Sequence, residues 1–246
     1  MINWLERTEL LLGKENIEIL KNSHVLIVGV GGVGAYAAEM ICRAGVGRMT
    51  IVDGDVVNPS NINRQLVALN STVGLRKVDV LAKRLLDINP ELVLNAKFEY
   101  LQDELTDELL DSERYDFVVD AIDTLSPKVN LIAAALKRKM NIISSMGAGA
   151  RIDPTQIRFA DISKTYECTL ARSVRKRLNK MGIKKGLPTV FTTEIPDKNA
   201  VFESTNERNK KSTVGTISYL PPLFGCYLAS YVIRNLTGKI KSNKPK

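Results

Sequence analysis

Val25-Leu26-Ile27-Val28-Gly29-Val30-Gly31-Gly32-Val33-Gly34 is the stretch from which the fold can be read. The apolar run at 25–28 predicts a buried strand. Gly29, Gly31 and Gly34 then form a G-x-G-x-x-G turn opening a helix of small residues, among them Ala35, Ala37 and Ala38. In such a turn the first glycine lets the chain reverse, the second lets a phosphate approach the backbone, and the third lets helix meet sheet. Gly32 joins them as a cofactor-binding position. Amides and dipole at the helix start favour an anion. A second apolar run, Met49-Thr50-Ile51-Val52, ends in Asp53-Gly54-Asp55. Asp53, with Asp55 beside it, stands where a carboxylate holds ribose hydroxyls or caps the next turn. The turn alone does not choose between NAD, FAD and ATP.

The next stretch bears on that choice. Asn61, Asn63, Arg64, Gln65 and Lys77 gather just beyond the second strand. Hydride transfer has no need of such a cluster, whereas a triphosphate does. Arg and Lys neutralise β and γ phosphates and a pyrophosphate leaving group, and Asn supplies neutral donors. A further buried strand, 117–123, ends in Asp123, which can hold Mg²⁺ or lie beside the α-phosphate.

Outward from this core, residues 5–21 predict two short helices broken at Gly13, with Leu10 and Leu11 on the apolar spacing. The loop 53–74 lacks periodicity, and loops that long are usually functional or disordered. Helices are expected over 77–88 and 103–110, and a strand over 91–100. A helix should open at Ser126-Pro127, with Ser as cap and Pro at the first helical position. A strand is expected over 141–145. This β-α-β-α alternation predicts an α/β fold, a Rossmann-like doubly wound and mostly parallel sheet with ligands at the strand C-termini. Beyond Arg151 the pattern yields strands at 157–162 and 190–195 and a basic helix at 170–181. Residues 197–212 read as irregular, 223–236 as an apolar helix, and 239–246 as a mobile tail.

The net charge of +8 is unevenly spread: residues 1–163 carry 18 Lys and Arg against 22 Asp and Glu, and 164–246 carry 17 against 5. A basic half on a mildly acidic nucleotide-binding half points to a polyanion, RNA above all, or else to a solvated surface. No apolar run approaches the roughly 18 residues of a membrane span. The first residues show no basic segment followed by an apolar one, so a cytoplasmic protein without membrane association is expected. Cys42, Cys168 and Cys226 form no C-x-x-C pair, so neither a disulfide framework nor structural zinc is expected. Cys42 and Cys226 read as core and Cys168 as an exposed thiol. His24 reads as structural.

In order and spacing, GVGGVG, VDGDVVNPSNINRQ, TVGLRK and VVDAIDT resemble the adenylating domain of the ubiquitin-activating, MoeB and ThiF superfamily. The resemblance implies ATP-driven adenylation of a carboxylate with release of pyrophosphate. By motif, Asp53 would bind ribose, Asn61, Arg64 and Lys77 phosphates, and Asp123 magnesium or phosphate. Arg7 would reach the ATP site of a neighbouring copy, which implies a homodimer. LARSVRKRL at 170–178, SYLPPLFG at 218–225 and VIRNLTG at 232–238 are similar to the branch that dehydrates threonylcarbamoyladenosine in tRNA. That branch implies one ThiF-type domain over 1–246: a nucleotide-binding core to residue 150 and a basic part completing the sheet and substrate surface. Arg172, Arg175, Lys176 and Arg177 would meet RNA phosphates, and sulfur-relay proteins are further expected partners. The alternatives are an adenylyltransferase for the C-terminal glycine of a ubiquitin-like or sulfur-carrier protein, an NAD-dependent oxidoreductase, and a non-catalytic RNA-binding module.

Overall fold

The computed structural model describes residues 4–203 and 212–239. Seven strands form one sheet: β1 (His24–Val28), β2 (Arg48–Val52), β3 (Val93–Lys97), β4 (Phe117–Asp120), β5 (Ile142–Ser145), β6 (Ile157–Asp161) and β7 (Pro188–Thr192). Their spatial order is β3-β2-β1-β4-β5-β7-β6. All neighbours run parallel except β6, which pairs antiparallel with β7 at the edge. The chain leaves β1 toward β2 and β3, then returns to place β4 on the other side of β1. Strand order therefore reverses between β1 and β4, where an open α/β sheet has its ligand crevice.

Eight α-helices lie among the described residues: α1 (Glu6–Leu12), α2 (Lys14–Lys21), α3 (Gly34–Arg43), α4 (Lys77–Ile88), α5 (Asp103–Ser112), α6 (Leu125–Lys137), α7 (Thr169–Lys180) and α8 (Leu220–Leu236). The period-two alternation of the strands sorts side chains between two cores. Val25, Ile27, Met49, Ile51, Phe117 and Val119 pack on the side of α3, α4 and α8. Leu26, Val28, Val52 and Val118 pack on the side of α5, α6 and α7. The small residues of α3 let α8 come close, and a Cβ on Gly225 would lie 2.4 Å from the Val33 carbonyl oxygen. Glu39 of α3 is buried and accepts hydrogen bonds from Arg43 and, across the helix pair, from Arg84 of α4. Burial pushes its carboxyl up, but these guanidinium bonds win and hold it below the usual range.

Several elements depart from the sequence reading. β4 stops at Asp120, because the Asp120 carboxylate accepts the Ile122 amide at 3.1 Å and turns the chain there. Asp123 therefore lies in the following turn rather than at a strand end. α6 begins at Leu125, not at Ser126-Pro127, and Thr124 takes the N-cap position. Pro127 is tolerated inside the first turn, where amides have no intrahelical partner. β7 begins at Pro188 and ends at Thr192, short of Ile195. Residues 197–212 are not wholly irregular: β8 (Val201–Glu203) and β9 (Ser212–Val214) form a hairpin, while 204–211 lie outside the described residues, as does the tail from 240. The prolines of α8 sit within its first turn rather than before it. α1 follows its expected bounds, but it buries none of its residues and Leu10 and Leu11 are each 82% exposed.

Candidate functional site

The glycine turn is built by contact with its neighbours. Gly29 has φ +86°, and a Cβ there would stand 2.8 Å from the Ala121 carbonyl oxygen. A Cβ on Gly34 would fall 1.7 Å from the Gly29 carbonyl oxygen. Both positions thus exclude any side chain, the first also by backbone conformation. Around Gly31 there is room: a Cβ would meet only the Gln65 side chain, at 3.6 Å. Gly32 faces the Arg64 stem and Pro221, its Cβ position 3.5 Å from Arg64 Cγ.

Asp53 closes one side of the turn. One carboxylate oxygen accepts the Val30 amide at 2.7 Å and the other the Asp55 amide at 2.8 Å. Burial raises the Asp53 pKa, against the opposing pull of the Lys77 ammonium and the two amides. Lys77 opens α4, its side chain 5% exposed, with Nζ 2.8 Å from Asp55 Oδ2. A helix N-terminus disfavours a cation, so a buried ammonium there leaves room for more negative charge than one exposed Asp55 supplies. Arg64 is half-buried and donates to the Ser60 carbonyl and to Asn63 Oδ1. Asn63 donates in turn to the Thr216 carbonyl in the approach to α8. Asn61 is buried and accepts the Asn58 amide at 3.1 Å, which shapes its own loop. Gln65 Oε1 is buried without a hydrogen-bond partner among the described residues.

Gly29, Gly31, Gly32, Gly34, Asp53, Asp55, Arg64, Gln65 and Lys77 thus form one connected cluster at the C-terminal ends of β1 and β2, with Asn61 in the loop that bears Arg64. Asp123 stands on the adjoining turn beyond β4, exposed. The open space at Gly31, the Gln65 Nε2 donor beside it and the cations Arg64 and Lys77 suit a nucleoside phosphate. Among the described residues no three His, Cys, Asp or Glu side chains converge as a metal site.

Other residues do not join this cluster. Arg7 is exposed on α1. On α7, Arg172, Lys176 and Arg177 are exposed, whereas Arg175 turns inward and donates to the carbonyls of Ile162 and Thr165. The reason is helical phase. Arg175 follows the buried Val174 and precedes the buried Leu178, and at about 100° per residue it flanks the packed face. Cys168, expected to be exposed, is buried, its Sγ accepting the Ala171 amide at 3.4 Å at the start of α7. Cys42 is buried as expected, whereas Cys226, read as core, is only half-buried because it flanks the packed face of α8. Burial pushes the Cys42 thiol up to about 11 and also raises that of Cys226. His24 donates to or accepts from Thr50 and packs on Tyr115.

Sequence reasoning missed two groups. Arg151 is buried with its guanidinium donating to the carbonyls of Gly147, Gly149, Glu167 and Glu194, so it ties the loops after β5 and β7 to the start of α7. Asp120 and Lys128 form a fully buried ion pair. No spacing rule marks either group. The one hint is Asp120, a carboxylate inside the otherwise apolar run 117–122.

Fold and site define a Rossmann-like α/β protein with a phosphate-suited glycine turn at its switch point. The ThiF family profile matches residues 5–246, and the chain belongs to that family. It is 40% identical to the tRNA threonylcarbamoyladenosine dehydratase of Bacillus subtilis, over 100% of this chain and 99% of that one. The Escherichia coli tRNA N6-threonylcarbamoyladenosine dehydratase, solved in complex with ATP, superposes with a TM-score of 0.87 at 32% identity, covering 96% of this chain and 94% of that one. Its AMP complex superposes equally well. The Escherichia coli molybdopterin-synthase adenylyltransferase is 34% identical, but over only 61% of this chain and 60% of its own.

Proposed function

We propose that this chain is an ATP-dependent adenylating enzyme that converts threonylcarbamoyladenosine in tRNA to its cyclic form. The observation that carries this reading is the reach of the likeness. The dehydratases match from end to end, α7 and α8 included, whereas the molybdopterin-synthase adenylyltransferase matches 61% of the chain. ATP is the expected nucleotide, since it is bound in the solved E. coli relative and suits the cations at this turn.

The substrate carboxylate attacks the α-phosphorus of ATP and pyrophosphate leaves. The amides of the glycine turn and the charges of Arg64 and Lys77 receive the phosphates and the leaving group, Asp53 holds ribose, and Asn61 and Gln65 add neutral hydrogen bonds. Mg²⁺ would be held by Asp123 together with phosphate oxygens, an arrangement Mg²⁺ commonly takes with one or two carboxylates, and would spread charge on the phosphates. The activated acyl carbon is then attacked from within the same nucleoside and AMP leaves, so the substrate loses one water overall. An intramolecular attack needs no enzyme nucleophile.

The exposed basic residues Arg172, Lys176 and Arg177 would meet RNA phosphates. The whole chain serves as one adenylating unit, in which β6 and β7, from the part beyond residue 150, complete the sheet begun by β1–β5. A homodimer would cover the exposed leucines of α1 and bring Arg7 to a neighbouring copy's phosphates. The working compartment is the cytoplasm, and sulfur-relay proteins are further partners to be sought by co-purification. No helix of the described residues is long and apolar enough to cross a membrane.

The test is pyrophosphate release on adding ATP with tRNA that carries threonylcarbamoyladenosine. It should be matched by loss of one water from the nucleoside in mass spectra, with unmodified tRNA inert. Release only with a small protein ending in Gly-Gly would overturn the reading in favour of a carrier-protein adenylyltransferase.

A further inference from the structure

Beneath the switch point lies an ion pair that the chemistry above does not use. Asp120 ends β4 and Lys128 is the fourth residue of α6; both side chains are 0% exposed, with Lys128 Nζ 2.8 Å from Asp120 Oδ2. The same ammonium donates to the Ile122 carbonyl at 2.7 Å. Asp120 Oδ1 accepts the Ile122 amide at 3.1 Å, and Oδ2 accepts the Ser144 hydroxyl from β5. Both backbone polar groups of Ile122 are therefore gripped. One residue back is Ala121, whose carbonyl oxygen abuts Gly29 and whose Cβ lies 3.1 Å from a Cβ position on Gly34. One residue on is Asp123.

A buried ion pair is a poor device for stability. Desolvation of the two ions consumes most of their attraction, and apolar replacements of similar volume are often neutral or stabilising. The rest of this face of α6 is apolar, with Val129, Leu131, Ile132 and Ala135 in the core. A Leu or Met at 128 would serve packing there. What it could not do is donate to the Ile122 carbonyl.

We propose that Lys128 is a positioning residue. Together with Asp120 and Ser144 it fixes the 121–124 turn, and with it the placement of Asp123 against the glycine turn. The consequence for catalysis rests on the adenylation reading above, whereas the latch itself is a property of the fold.

The test uses the full-length Lys128→Met/Asp120→Asn double variant, which removes both charges at nearly constant volume. Turnover should fall roughly 10- to 100-fold, the cost expected when a reacting group is misplaced by about an ångström. The KM for ATP should change much less than kcat, and thermal stability should stay near wild type. Hydrogen exchange should accelerate at the amides of 121–124 and not across α6 as a whole. A folded double variant with wild-type kcat and wild-type exchange in that turn overturns the proposal. Should the double variant not fold, Ser144→Ala keeps the ion pair and loosens only Asp120. It should speed exchange at Ile122 and Asp123 and lower kcat severalfold, and no change in either measure overturns the proposal as well. If the wild-type protein releases no pyrophosphate, the adenylation reading fails, while the exchange measurement still decides the latch.

Discussion

Arg64 reaches the glycine turn on a stem packed beside Gly32, and its charge is held by one carbonyl and one carboxamide of its own loop. Nothing in the core depends on it. Arg64→Ala should therefore leave the thermal midpoint unchanged and lower pyrophosphate release roughly 10²–10³-fold, the usual cost of removing one preorganised donor from a site of charge development. Turnover at the wild-type rate would remove Arg64 from the site. His24, the one histidine of the chain, carries a pH signature instead. Its ring is buried between Thr50 and Tyr115, with Glu113 at 3.7 Å and Arg48 and Asp116 nearby. Burial lowers its pKa below the ordinary 6.5 despite the pull of Glu113. The folded state thus binds its proton less readily than the unfolded chain, so stability should be full above about 6.5 and decline as pH falls below it. Thermal midpoints measured from pH 7.5 down to 5.5 should show this decline, and His24→Gln should flatten it.

At the scale of the element, α7 shows what a charge pattern can and cannot tell. LARSVRKRL announces a basic helix, and Arg172, Lys176 and Lys180 recur every four residues along one exposed face. Arg175 belongs to a different part of the wheel and is used up on Thr165 and Ile162. Changing Arg172, Lys176 and Arg177 to Glu should weaken tRNA binding, flatten its dependence on salt and spare ATP affinity. Arg175→Ala should leave RNA affinity nearly intact and lower the thermal midpoint, because it strips hydrogen bonds from two carbonyls. Equal losses of RNA binding in the two variants would refute this division of the helix. Most elements were legible to within two residues, since apolar period and Gly or Pro punctuation act locally. The exception that matters is β4. Its end looked like Asp123 because Val118-Val119-Asp120-Ala121-Ile122 reads as unbroken strand, and the grip of Lys128 on Ile122 lies six residues further on.

At the scale of the molecule, the exposed Leu10 and Leu11 of α1 and the exposed Arg7 belong to the proposed homodimer. If Arg7 completes a neighbour's site, Arg7→Ala and Arg64→Ala subunits are each inactive alone. Mixed and allowed to exchange, they should regain about a quarter of wild-type activity, because half of the dimers are then mixed and each of those holds one intact site. No recovery after exchange, verified by mass, would place Arg7 outside the site. From sequence alone came the strands of the main sheet, the doubly wound and mostly parallel class, the glycine turn and the cluster of cations and carboxamides. Each of these depends on neighbours within a few residues or on repeated spacing. Only the tertiary structure decided which charges face solvent and which are spent inside. Asp120 meets Ser144 across 24 residues, Arg151 meets Glu194 across 43, and Cys168 is buried by a core assembled from distant strands. A side chain's partners are set by the packing of remote segments, and local pattern carries no record of them.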